Sequence, residues 1–87
     1  MSARQETGLD GLLGSAQQVA GLVAARGRGD IDGARALTRQ LVEDGDLAGG
    51  ALLVAELALG LLARESGRSL DEVVGQLNLR LMQLPHA

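Results

Sequence analysis

Aromatic residues, cysteine and lysine are all absent from this sequence of 87 residues, and histidine and proline occur once each. Without cysteine the chain can form no disulfide bond and offers no thiolate nucleophile. The single histidine, His86, cannot by itself provide a conventional zinc site or a Ser-His pair on a rigid scaffold. We therefore expect a protein that is not an enzyme, without catalytic, metal-binding or cofactor-binding residues and without a cofactor.

The missing aromatic side chains also restrict the core. Apolar residues make up 46% of the chain, so leucine, valine and alanine must fill the interior, and the helices must approach one another closely. The formal net charge of −3 gives no electrostatic footprint for nucleic acid or an anionic membrane, which makes nucleic acid an unlikely partner. Residues 1–9 contain no apolar run, so we expect no secretory signal and a cytoplasmic location.

Capping and turn residues divide the chain into helical segments. The strongest signal is Ser69 followed by Glu72, the pattern of a capping box at a helix start. Asp30 is suited to cap an earlier helix, which Gly45 ends, and Gly67 is suited to the left-handed position that follows another helix.

These signals predict an all-α fold, a small four-helix bundle with helices at about 9–26, 31–44, 47–66 and 70–84. We expect a single helical domain over residues 8–84, with flexible tails at 1–7 and 85–87. The fourth helix carries one apolar stripe at helical spacing, formed by Leu70, Val73, Val74, Leu77, Leu81 and Leu84.

The third and fourth helices carry more apolar surface than the other helices of a single chain can cover. From Leu47 to Ala63 the only charge is Glu56, and a helix that is apolar nearly all round requires burial on several sides. We expect a homo-oligomer, most simply a two-fold dimer. The interface is predicted to include Leu52, Glu56, Leu59, Leu79 and Met82. The alternative is a compact monomer with scattered exposed leucines.

A membrane span is a second explanation for the apolar third helix. The apolar segment from Leu47 to Ala63 is only just long enough to cross a bilayer. A carboxylate near the centre of a span is costly, so we expect no membrane span.

The segment 67–73, together with residues 61–65 before it, resembles the helix-turn-helix half of ribbon-helix-helix antitoxins. The resemblance implies a dimer that binds DNA through a strand ahead of the helices. Here the residues ahead, 48–51, read Ala-Gly-Gly-Ala and form no basic strand. Asp71 and Glu72 also make the start of the fourth helix acidic, which disfavours contact with phosphates.

The function we expect is that of a non-enzymatic accessory or adaptor protein, which acts through helix-mediated association with itself and with another protein. Two alternatives stay open. One is a small DNA-binding regulator of the antitoxin or helix-turn-helix type. The other is a protein that sequesters a small molecule in an apolar cavity between helices.

Overall fold

The computed structural model describes the backbone of residues 2–85 and the side chains of residues 10–85. Its helices are α1 (Ser2–Arg28), α2 (Ile31–Asp44), α3 (Leu47–Ser66) and α4 (Leu70–Gln83). No strand occurs in the part of the backbone that is described. The predicted all-α class with four helices is therefore confirmed.

The ends of α1 and α4 differ from the prediction. The structure starts α1 at Ser2 instead of Leu9, so residues 2–7, predicted as part of a tail, are helical. This stretch includes alanine, arginine, glutamine and glutamate, which are strong helix formers, and it contains no proline. At the other end, α4 stops at Gln83, because Leu84 precedes Pro85 and takes an extended conformation with ψ of 140°. Residues 86 and 87 of the predicted tail lie outside the described residues.

Three glycines in the left-handed conformation end α1, α2 and α3. Gly29, Gly45 and Gly67 have φ values of 79°, 71° and 69°. At each turn the glycine N–H donates to the carbonyl three residues earlier, and the next N–H donates to the carbonyl five residues earlier. These bonds define a Schellman motif, in which glycine avoids the steric cost of a Cβ atom.

Side-chain caps start α2 and α4 where the sequence predicts them. The N–H of Gly33 donates to Oδ1 of Asp30 at 2.9 Å. The capping box forms in full: the N–H of Glu72 donates to the Ser69 hydroxyl at 3.1 Å, and the N–H of Ser69 donates to Oε1 of Glu72 at 2.9 Å. Both caps satisfy backbone donors that the helix itself leaves free.

The chain divides into two compact units, Met1–Val54 (unit 1) and Ala55–Ala87 (unit 2). The single domain that we expect over residues 8–84 stays a prediction. In unit 1, α1 packs against α2. The buried apolar side chains of these two helices are small apart from one fully buried leucine, and they are Ala16, Val19, Ala25, Ala34 and Leu41.

Unit 1 also contains a close approach between the backbones of α1 and α3. A Cβ atom placed on Gly50 would lie 2.9 Å from the carbonyl carbon and oxygen of Ser15, and 3.0 Å from Cγ2 of Val19. The hydroxyl of Ser15 is buried and donates to the carbonyl of Gly11 at 2.8 Å. The sequence expectation of closely approaching helices with small residues is met at this position.

Unit 2 consists of the second half of α3, the turn at Gly67 and α4, and we call it the hairpin. Its buried side chains within the described residues are Ala63 on α3 and Val73 on α4. The hairpin therefore has very little core of its own. The apolar side chains that it leaves exposed form the candidate site.

Candidate association surface

The hairpin exposes an unusual number of large apolar side chains. We call this set the hairpin surface, and its members are Leu57, Leu61, Leu62, Leu70, Val74, Leu77, Leu79, Leu81, Met82 and Leu84. Single exposed leucines are common on folded proteins. A concentration of them on one small unit is typical of a surface that another surface covers.

The predicted apolar stripe of α4 supplies half of the hairpin surface. Of that stripe, only Val73 is buried. The exposed fractions of the others range from 36% for Val74 to 57% for Leu84. The sequence pattern identified these residues as one stripe, but it could not show that most of the stripe remains exposed among the described residues.

The five residues predicted for the interface lie in different surroundings. Leu52 is 63% exposed and belongs to unit 1. Glu56 is exposed on the part of α3 within unit 2, and Leu59 on the same helix is half-buried. Leu79 and Met82 are exposed and lie three residues apart, on one side of α4. The structure therefore brings together Leu79 and Met82 on an open side of α4. Leu52, Glu56 and Leu59 follow one another at intervals of four and three residues on one side of α3, and Leu59 also lines the hairpin groove.

A groove between α3 and α4 explains the position of Leu59. The groove has a volume of about 310 Å³. Its walls are mainly apolar and carry two arginines, and the lining residues are Leu59, Leu62, Ser66, Arg68, Val73, Gln76, Leu77 and Arg80. The volume is at the lower limit for a small-molecule site.

Unit 1 has a groove of different character between α1 and α2, with a volume of about 450 Å³. Three arginines are among its lining residues, Arg26, Arg35 and Arg39. The only ion pair formed by described residues joins Arg28 to Asp30 at 4.0 Å, with both side chains exposed. Such a pair contributes little to stability in water. This groove is cationic and open, so it adds nothing to the apolar surface of the hairpin.

The charge on the hairpin is arranged along α4. The first turn carries Asp71 and Glu72, and the last turn carries Arg80. The backbone N–H of Ser69, followed by the Ser69 hydroxyl and the nearby Arg68, holds the pKa of Glu72 below its ordinary value of 4.5. The acidic start and basic end both complement the helix dipole.

Within the described residues, no group of three or more histidine, cysteine, aspartate or glutamate side chains is placed to hold a metal ion. Across the same residues, α3 is the one helix long and apolar enough to cross a membrane by length and composition. Of the apolar stretch of 18 residues within α3 that meets this criterion, only 11% is buried.

Comparisons with protein-family models, curated protein sequences and solved structures find no match to this chain.

Proposed function

We propose that this chain is a non-enzymatic accessory protein of the cytoplasm that acts by associating with a second copy of itself through the hairpin surface. The observation that supports this most directly is that unit 2 buries few apolar side chains and exposes many. Ala63 and Val73 are buried there, whereas most of its leucines are exposed. A second hairpin would supply the apolar cover that the first one lacks.

The size of unit 2 supports the same proposal. A unit of fewer than about 40 residues usually needs disulfides, a metal or oligomerisation to be stable. This chain has no cysteine with which to form a disulfide. Association of two hairpins would cover apolar side chains of α4 that a single hairpin leaves exposed.

The expected energies indicate how large the contact must be. Covering one half-exposed leucine contributes about 1 kcal/mol. Association costs roughly 4–15 kcal/mol in lost translational and rotational freedom. Two or three covered side chains on each copy therefore give at most a very weak complex, and the contact must use a whole row of the hairpin surface.

An adaptor also needs a surface for another protein, and α3 is the candidate for it. Leu57 and Leu61 are exposed on α3. They lie between about a third and a half of a turn around the helix from Ala63, the buried residue of that helix segment. A dimer formed through α4 would leave Leu57 and Leu61 available to a different protein.

The proposal is tested by measuring the mass of the full chain in solution by light scattering, over a range of concentrations. We expect a species of twice 8.9 kDa, which dissociates on dilution. A mass that stays at 8.9 kDa up to millimolar concentration would contradict the proposal. Flotation with phospholipid vesicles tests the competing role of α3 as a membrane helix, and a chain that floats with the vesicles would favour that role.

A second candidate function is the binding of a small amphipathic carboxylate in the hairpin groove. The observation in its favour is the mainly apolar lining, with Arg68 and Arg80 as cations among the lining residues. Isothermal titration with a medium-chain fatty acid tests it. Weaker binding by Arg80→Gln than by Arg35→Gln, which changes an arginine in unit 1, is the expected result. Equal heats for both variants would reject this groove as the site.

A further inference from the structure

We propose that the contact between two copies is an antiparallel pairing of α4 with α4 along one row of side chains, Leu70, Val74, Leu77 and Leu81. We call this the α4 row. The inference rests on the proposed self-association, and it specifies which part of the hairpin surface forms the contact.

The spacing of the α4 row is the first argument. Its members follow one another at intervals of four, three and four residues. This is the a/d spacing of a coiled coil, in which each side chain inserts between four side chains of the facing helix. Leu79 and Met82 are equally apolar but lie outside this repeat.

The exposure of the α4 row is the second argument. Val73 is buried and lines the groove with α3, and it immediately precedes Val74 in the sequence. Leu77 also lines this groove, whereas Leu70, Val74 and Leu81 do not, so the side of α4 that packs on α3 overlaps the α4 row only at Leu77. Every member of the row is exposed in the single chain, so a second helix can reach it without any opening of the hairpin.

Charge decides between the two possible directions. A parallel pairing would place Asp71 level with Asp71 of the other copy and would align the two helix dipoles. An antiparallel pairing that sets Leu70 opposite Leu81 and Val74 opposite Leu77 places Asp71 of one copy level with Arg80 of the other. Asp71 and Arg80 flank the row on opposite sides, so they form no direct ion pair. The acidic first turn and the basic last turn attract each other at longer range, and the dipoles oppose each other.

Cysteine cross-linking tests the direction cleanly, because the native chain contains no cysteine. Leu70→Cys carrying an affinity tag is mixed with untagged Leu81→Cys, and the mixture is oxidised mildly. We expect the mixed dimer to form at least tenfold faster than either homodimer. Faster homodimers of both variants would show a parallel contact and overturn the proposed direction. Leu79→Cys alone should cross-link slowly.

A pair of charge substitutions tests the row itself. Leu81 and Leu79 are exposed by 52% and 59% on the same helix, so Leu81→Glu and Leu79→Glu make matched changes. We expect Leu81→Glu to raise the dissociation constant of the dimer at least tenfold, and Leu79→Glu to change it less than threefold. Far-ultraviolet circular dichroism, measured at equal concentration, verifies that both variants remain helical.

The possible results separate this inference from the function it rests on. A dimeric wild type that is disrupted by Leu79→Glu, with no preferred cross-link between positions 70 and 81, would overturn the α4 row and leave self-association standing. A wild type that is monomeric at all concentrations would overturn both.

Discussion

Gly50 has no side chain, and this allows α3 to approach the backbone of α1 closely in unit 1. A methyl group at this position would meet the backbone of Ser15 at 2.9 Å, and backbone cannot move aside as a flexible side chain can. At neighbouring Gly49 the nearest atom is Cδ1 of Leu12 at 3.5 Å, an ordinary contact.

We therefore predict that Gly50→Ala lowers the free energy of unfolding by about 1–3 kcal/mol, the usual cost of overpacking. Gly49→Ala is the control. It should be neutral or stabilising by up to about 1 kcal/mol, because alanine is the better helix former. Urea denaturation of the two variants measures both values. Equal changes of the same sign would show that α1 and α3 do not approach closely at Gly50.

Glu72 provides a prediction about pH at the same scale. Its pKa is lowered in the folded chain, first by the backbone N–H of Ser69 and then by the Ser69 hydroxyl. A lowered folded pKa means that the contribution to stability is present above the ordinary value of 4.5, and that it is lost as the pH falls through the folded value.

The melting temperature of the wild type should therefore exceed that of Glu72→Gln at pH 7, and the difference should shrink steadily below about pH 4.5. Ser69→Ala removes the hydroxyl but keeps the backbone donor, so it should weaken this acid dependence without abolishing it. A difference that is independent of pH between 7 and 3 would contradict the assignment.

At the scale of the helices, the turns were the most predictable part of the fold. Asp30, Gly45 and the Ser69–Glu72 pair act through bonds within a few residues, so the local sequence contains the whole signal. The start of α1 was misplaced because no capping residue marks it there. Burial was harder to predict: the α4 stripe is visible as a pattern, but the pattern does not show which neighbour covers it.

The backbone conformation at two glycines of the hairpin gives a prediction about stability. Gly67 has φ of 69°, whereas Gly75 lies within α4 with nothing within 4 Å of an added Cβ atom. Gly67→Ala should destabilise the chain by about 1–2 kcal/mol, the cost of a left-handed conformation for alanine. Gly75→Ala should stabilise it by up to about 1 kcal/mol. Opposite shifts in thermal melting confirm both assignments, and shifts in the same direction would refute one of them.

For the whole molecule, the surface that we propose for association was only partly predictable from the sequence. An excess of apolar residues on the third and fourth helices was correctly expected to remain exposed in one chain, as Leu52, Leu79 and Met82 show. Leu59 was not distinguishable from them, because its exposure depends on the groove that α4 forms with α3. A 3.6-residue period specifies the side of a helix on which a residue lies, and only the tertiary structure specifies what faces it.

Self-association should make the stability of the chain depend on its concentration. If the hairpin gains its core from a second copy, folding and association are linked, and dilution favours the unfolded or dissociated chain. The melting temperature of the wild type should then rise continuously between about 1 μM and 1 mM. Leu81→Glu should melt lower and with little dependence on concentration, and Leu79→Glu should follow the wild type. A melting temperature that stays constant for all three proteins would mean that the exposed leucines of α4 have no partner in a second copy of this chain.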